Sequence, residues 1–238
     1  MQEEQGGYFN MSIEKSDFLN KIISENKYKS YLELGSANYK NKKHTFYNIN
    51  CFKKISVDKK HPSHFKMDVN EFFKKNKENF DCIYHDMGYT YEIVKSNIEK
   101  SLCILDRKGT LICNFADPLN DSWQNVGQKT RPGWIGQTWK VLLEMQYSKK
   151  DLDIIIIQNN TADRYLPQFK SLGITHGFGI IRKINKGCKI EKKFNDNFLD
   201  FLFYEKNKKN IMRVLSVKDF FKEYNNFDNH INNIKGEK

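Results

Sequence analysis

No run of apolar residues in this 238-residue chain approaches the roughly 18 that a membrane-spanning helix needs. The longest, IIII at 154–157, has the length of a strand. Cysteine is sparse and unpaired in spacing. Cys51, Cys82, Cys103, Cys113 and Cys188 form no C-x-x-C pair, which argues against a zinc or disulfide framework. Cys82 and Cys113 sit inside apolar runs, where a thiol serves as a small hydrophobe. Arginine is scarce: only Arg107, Arg131, Arg164, Arg182 and Arg213 stand among 40 basic residues. Proteins that read nucleic acid lean on arginine for two-pronged contacts, so the net charge of +11 is weak support for such a role. The lysine and asparagine bias is what codon drift in an AT-rich genome produces. The first ten residues, MQEEQGGYFN, are acidic and polar, unlike a secretory signal, and a cytoplasmic location is expected.

What is present is a core. With 39% hydrophobic residues and a mean hydropathy of −0.73, the chain suits one core-bearing domain with a strongly polar surface. Apolar strand-like runs fall at 30–34, 54–58, 64–67, 80–86, 108–115, 152–158 and 176–184. Helix-period segments fall at 13–26, 68–76, 91–105 and 135–146. Asp68 followed three residues later by Glu71 resembles a capping box at the start of one helix. Near-continuous apolar strands alternating with amphipathic helices predict an α/β, Rossmann-like fold: seven strands, mostly parallel, with helices on both faces. The connection 159–175 shows no helix, so the strand at 176–184 is expected to run antiparallel. We place a domain boundary near residue 184. Residues 185–238 are expected to form a charged extension with helices at 196–209 and 216–225.

The stretch YLELGSANYK at 31–40 ends a strand in a glycine turn, without the second glycine of a dinucleotide loop. The other strand ends explain it. Strand one ends in Glu33 and Gly35, and strand two in Asp58, 23 residues beyond Gly35. Asp68 follows the short third run, and His85 and Asp86 close the fourth. In open α/β sheets, ligands bind at this edge. An acid after strand two suits the two hydroxyls of a ribose, and an acid after strand three suits an adenine amino group. Four such acids in register point to a nucleoside cofactor.

The ordered set resembles the class I S-adenosylmethionine (SAM)-dependent methyltransferases, in a branch of sugar and other small-molecule O-methyltransferases. Leu32, Glu33, Leu34 and Gly35 match the first motif. Residues 65–112, WIGQTWK at 134–140, DLDIIIIQ at 151–158, GFGIIRK at 177–183 and the tail at 204–221 extend the likeness over nearly the whole chain. The resemblance implies that SAM is bound and S-adenosylhomocysteine released. Glu33, Gly35, Ser36 and Asn38 would lie at the methionine portion, Asp58 and Lys59 at the ribose, Asp68 and Val69 at the adenine, with Asp86 alongside. SAM carries no phosphate, so one tight turn suffices.

Two departures bear on mechanism. In DMGYTYE, Tyr89 stands where the family has histidine, and Asn114–Phe115 stand where it often has His-Asp. Metal-dependent relatives bind a divalent ion with acids at these strand ends. Phe115 cannot ligate, so no metal is expected, Asp117 being the residue that could supply the missing ligand. Asp86 is the expected base, with His85 and Tyr89 as further catalytic candidates. Asn114, Trp123 and Trp134 are expected to contact the acceptor, and Trp139 to be core. The acceptor is expected to be a carbohydrate or other small hydroxylated molecule. Two alternatives remain: an RNA or other nucleic-acid methyltransferase using the stretch 39–66, with its eight lysines and three histidines, and a SAM-binding protein without transfer activity.

Overall fold

The computed structural model describes residues 15–36, 40, 42, 44–87, 90–118, 120–124, 135–158, 176–184 and 195–223. Seven strands form one sheet: β1 (Ser30–Leu34), β2 (Lys53–Val57), β3 (Phe80–His85), β4 (Leu105–Asn114), β5 (Leu152–Gln158), β6 (Phe178–Lys183) and β7 (Arg213–Ser216). Their order is β2-β1-β3-β4-β6-β5-β7. All neighbours run parallel except β6, which is antiparallel to both β4 and β5. The fold is the expected Rossmann-like one, with the strand at 176–184 reversed as anticipated.

Two details differ from the sequence reading. The run at 64–67 is not a strand but a single bridge from Phe65 to Val57. Ser63 and His64 turn back on Asp58 and Ser56 and use up the local donors. The seventh strand is instead β7, four half-buried residues at the sheet edge beside β5. An edge strand this short, with no alternation of burial, carries no period to read.

Helices cover both faces. On one side lie α2 (Val69–Lys75), α3 (Tyr91–Ile104), α4 (Thr138–Ser148) and α5 (Phe201–Ile211). Their apolar faces meet Leu32, Leu34, Ile83, Leu111 and Ile156 of the sheet. On the other side, α1 (Lys15–Glu25), α6 (Val217–Glu223) and a 3₁₀ turn at 45–48 pack on Tyr31, Tyr84, Ile112, Ile155 and Phe178. Two helix starts are capped by their own acids: the Asp68 side chain accepts from Asn70 N, and Asp200 from Phe203 N. Trp139 is fully buried, its ring 4.2 Å from that of Tyr204, as expected of a core residue.

The tail is joined to the sheet by charge as well as by packing. The Lys208 ammonium on α5 lies 3.0 Å from Asp117 Oδ1, and both side chains are buried. Glu205 Oε2 also lies 3.0 Å from that ammonium. Asp117 N donates to His176 O, so one residue ties α5 to the loop after β4 and to the entry of β6. Removing one member of a buried ion pair costs about 3–5 kcal/mol, because the survivor is left charged and dry. Lys208→Met is therefore expected to lower unfolding free energy by that order in urea titrations, and the double variant Lys208→Met/Asp117→Leu to recover much of the loss.

Candidate active site

Chain order reverses beside β1: β2 leaves on one side and β3 returns on the other. The crevice beyond their carboxyl ends is the expected ligand position in such sheets. Backbone hydrogen bonds hold it in register, Gly35 N to Val57 O at 2.9 Å and Asp86 N to Leu34 O at 2.9 Å. Gly35 has φ +84°, and a Cβ there would lie 2.6 Å from Met87 Cγ and 2.7 Å from Asp86 O. No other residue type fits that turn.

A cavity of about 430 Å³ opens beside the turn. Val57, Val69, Met87 and Ile93 give it apolar walls, and Asp58, Lys59, Asp68 and Asn97 contribute polar groups. Asp58 Oδ1 accepts from Lys60 N and His61 N, both at 2.7 Å. The hydrogen bonds its carboxylate makes among the described residues thus all fall on Oδ1, leaving Oδ2 for a ligand. Lys59 Nζ lies 3.7 Å from Asp68 Oδ2, an exposed pair at the rim. Asn97 is buried, and its Oδ1 has no partner among the described residues. Ser36 is also buried, with a hydroxyl unpartnered among them. Buried polar atoms without partners are uncommon and call for an explanation, such as a ligand. The donor set and walls fit a nucleoside-sized group.

Glu33 lies on β1 with its side chain on the α1 side of the sheet. It is buried and accepts a 2.6 Å hydrogen bond from Tyr31 Oη. Burial raises its carboxyl to about 8, against the lowering effect of the tyrosine hydrogen bond. His85 occupies the other face, fully buried, with neither ring nitrogen hydrogen-bonded to a described residue. Burial holds its pKa down to about 4.

Beyond the end of β3 a second group of side chains gathers. Asn114 Nδ2 donates to Asp86 Oδ1. Lys15, in the first turn of α1, has its ammonium 3.9 Å from Asp86 Oδ2 and 5.7 Å from the centre of the Phe115 ring. Phe115 has φ +64°, a strained conformation for a bulky residue. Its ring lies 5.9 Å from that of His176, which meets Trp123 edge-on at 4.9 Å. Asp117 Oδ1 is held by Lys208. Among the described residues, no three His, Cys, Asp or Glu side chains are grouped to hold a metal ion.

The structure thus brings Gly35, Asp58, Lys59, Asp68 and Val69 to one cavity, and Asp86, Asn114 and Trp123 to its neighbourhood at the same sheet edge. His85 and Glu33 point into opposite core layers. Asn38, Tyr89 and Trp134 lie outside the described residues. Lys15, Asn97 and His176 were missed by sequence reasoning. A lysine in the first helical turn, where the helix dipole favours an acid, was the signal for Lys15. His176 follows from the reversal of β6, since an antiparallel strand enters where its parallel neighbours end.

The basic stretch at 39–66 is partly spent internally. The Lys54 ammonium donates to the carbonyls of Phe46, Tyr47 and Ile49. Lys53 pairs with Glu78, and His64 with Ser56.

No protein-family model and no curated protein matches the chain. Solved structures resemble it. The O-methyltransferase from Bacillus cereus in complex with SAH is 10% identical, with a TM-score of 0.48 over 71% of this chain and 80% of that one. The O-methyltransferase TomG from Streptomyces achromogenes, in complex with SAM, is 10% identical, with a TM-score of 0.49 over 71% and 79%. The N-methyltransferase NodS from Bradyrhizobium japonicum is 15% identical, with a TM-score of 0.42 over 71% and 94%. At such distances, residue roles rest on this chain's own geometry.

The two buried titratable groups set opposite pH limits. Glu33 holds a proton in the folded chain between pH 4.5 and about 8 that the unfolded chain releases, so its contribution to stability falls as pH rises through that window. His85 stays neutral when folded, and stability is lost as pH falls from 6.5 toward about 4. Glu33→Gln should raise the melting temperature of the free protein more at pH 8 than at pH 5, since each pH unit crossed inside that window costs the wild type roughly 1.4 kcal/mol. His85→Leu should make unfolding between pH 6.5 and 4 less acid-sensitive. Scanning calorimetry across pH checks both.

Proposed function

We propose that the chain is a SAM-dependent methyltransferase acting on a hydroxyl of a small acceptor, of carbohydrate or similar polyhydroxylated type. The observation that carries this reading is the cavity at the reversal point, with Asp58 and Asp68 in its wall and the Asp86–Asn114 pair at the same sheet edge. On this reading residues 1–184 form the catalytic domain and 185–238 an extension of it, in a cytoplasmic protein.

The bound cofactor would supply a methyl group on a sulfonium, ready for in-line displacement. This chain's residues do the rest. Asp58 would accept from the ribose hydroxyls, while Asp68, Val69 and the Asn97 amide would border the base. Gly35 admits the backbone close to the methionine portion, Ser36 offers its hydroxyl there, and Glu33 lies behind the turn. Asp86, its Oδ1 held by the Asn114 amide, would take the acceptor's proton. Trp123 would offer a ring edge or face to the acceptor. His85, buried and neutral, would support the strand end rather than move protons.

Calorimetric titration with SAM and S-adenosylhomocysteine tests the cofactor site. Asp58→Ala is expected to weaken binding by about tenfold or more, the loss of a charge-assisted hydrogen bond, and unchanged affinity would remove Asp58 from the site. Methyl transfer to a panel of sugars and other hydroxylated acceptors is expected to survive excess EDTA. Asp86→Asn should lower its rate by roughly 10²–10⁴-fold, as removal of a general base does. Restoration by Mg²⁺ of an EDTA-abolished activity would overturn metal independence. An acceptor affinity that falls steeply with salt would favour a nucleic-acid acceptor. Tight SAM binding with no transfer to any acceptor would favour a binding protein.

A further inference from the structure

We propose that Lys15 is the catalytic cation of this site, the group against which the acceptor oxygen carries its negative charge. The inference rests on the methyltransferase reading above and assigns a role that the strand-end motifs do not contain. Three observations point to it. First, Lys15 is nearly buried, yet its ammonium makes no hydrogen bond to any described residue, and its ion pair with Asp86 Oδ2 is long at 3.9 Å. An ammonium has three N–H donors, and those of Lys15 are left for water or an acceptor. Second, it lies 5.7 Å from the centre of the Phe115 ring, whose backbone is held at φ +64°. Strain of this kind in a non-glycine residue collects at functional sites, where surrounding contacts impose it. Third, Phe115 and Asn114 occupy the strand end where an acid would help bind a metal. Neither residue carries charge, and α1 brings a cation to this edge from a different direction.

The proton step is simple. The acceptor O–H breaks with its electron pair remaining on oxygen. The proton passes to the Asp86 carboxylate and from there to water. The negative oxygen stands beside the Lys15 ammonium. A positive charge about 4 Å from such an oxygen, in a partly desolvated site, favours the ionised form by roughly tenfold or more. Other groups near this point are Glu33 on β1, Tyr84 on β3, and His176 before β6. Glu33 is held protonated at neutral pH by burial, and so adds no second negative charge beside that of Asp86.

The test uses coloured phenols, because their absorbance reports ionisation directly. The full-length protein is saturated with S-adenosylhomocysteine, and para-nitrophenol and nitrocatechol are each titrated in across pH. In the wild type, the bound probe is expected to ionise at a midpoint about one pH unit or more below that of the free probe, the tenfold preference just given. Lys15→Met should abolish the difference and Lys15→Arg should retain most of it, with S-adenosylhomocysteine affinity and melting temperature close to wild type in both. A lowered midpoint that persists in Lys15→Met, or failure of both probes to bind the wild-type complex, overturns the role of Lys15. Failure of the wild type to bind S-adenosylhomocysteine overturns the methyltransferase reading instead.

Discussion

The site depends on a turn in which there is no space for a side chain. Gly35 leaves β1 with positive φ, and its missing Cβ is the gap through which Met87 and the Asp86 carbonyl approach. Its amide holds β2, while the Leu34 carbonyl holds the end of β3. Three strand ends are thereby brought to one level, with a crevice between them. The acids that follow β2 and β3 reach the ligand space only because this closure is tight. A larger residue would push β3 away from β1 and separate the cavity from Asp86.

Two kinds of charge are handled around that crevice. On the cavity side the acids keep some exposure, 13% for the Asp58 side chain and 47% for Asp68, and are bonded to backbone amides, so Asp58 is oriented by its own turn. On the far side, charges are buried and must be neutralised or paired. Glu33 holds a proton, His85 has given one up, and Asp117 has Lys208. Lys15 is the exception, with only a distant partner among the described residues. Its side chain is 11% exposed, which sets it apart from the Asp117 carboxylate at 0%.

Much of this was legible in the chain itself, because local patterns carry it. IIII at 154–157, FDCIYH at 80–85 and LICN at 111–114 are buried on both faces and read as central strands. Asp86 could be found by counting from the second of them. What was not legible came from contacts between distant segments. Asn97 is one polar residue on an amphipathic helix, and nothing local says that its amide faces a cavity. Lys15 lies a full helix ahead of the first strand and reaches Asp86 only through the packing of α1 on the sheet. The run HFKM has the composition of a strand, but Ser63 and His64 hold its backbone in a turn. RVLS has strand geometry with no pattern to announce it.

The ion pair between Lys208 and Asp117 also bears on the order in which the molecule is completed during synthesis. A nascent chain that has emerged as far as β6 contains six of the seven strands and every acid of the cavity. It lacks the ammonium that Asp117 requires. Until α5 has left the ribosome, a carboxylate sits at the junction of the β4 loop and the entry to β6 without its lysine. The nucleoside side of the crevice can therefore take shape while the chain is still being made. The contact of Lys208 with Asp117 forms only when α5 arrives. Premature termination in the tail would leave a chain with every acid of the cavity and without the lysine that meets Asp117.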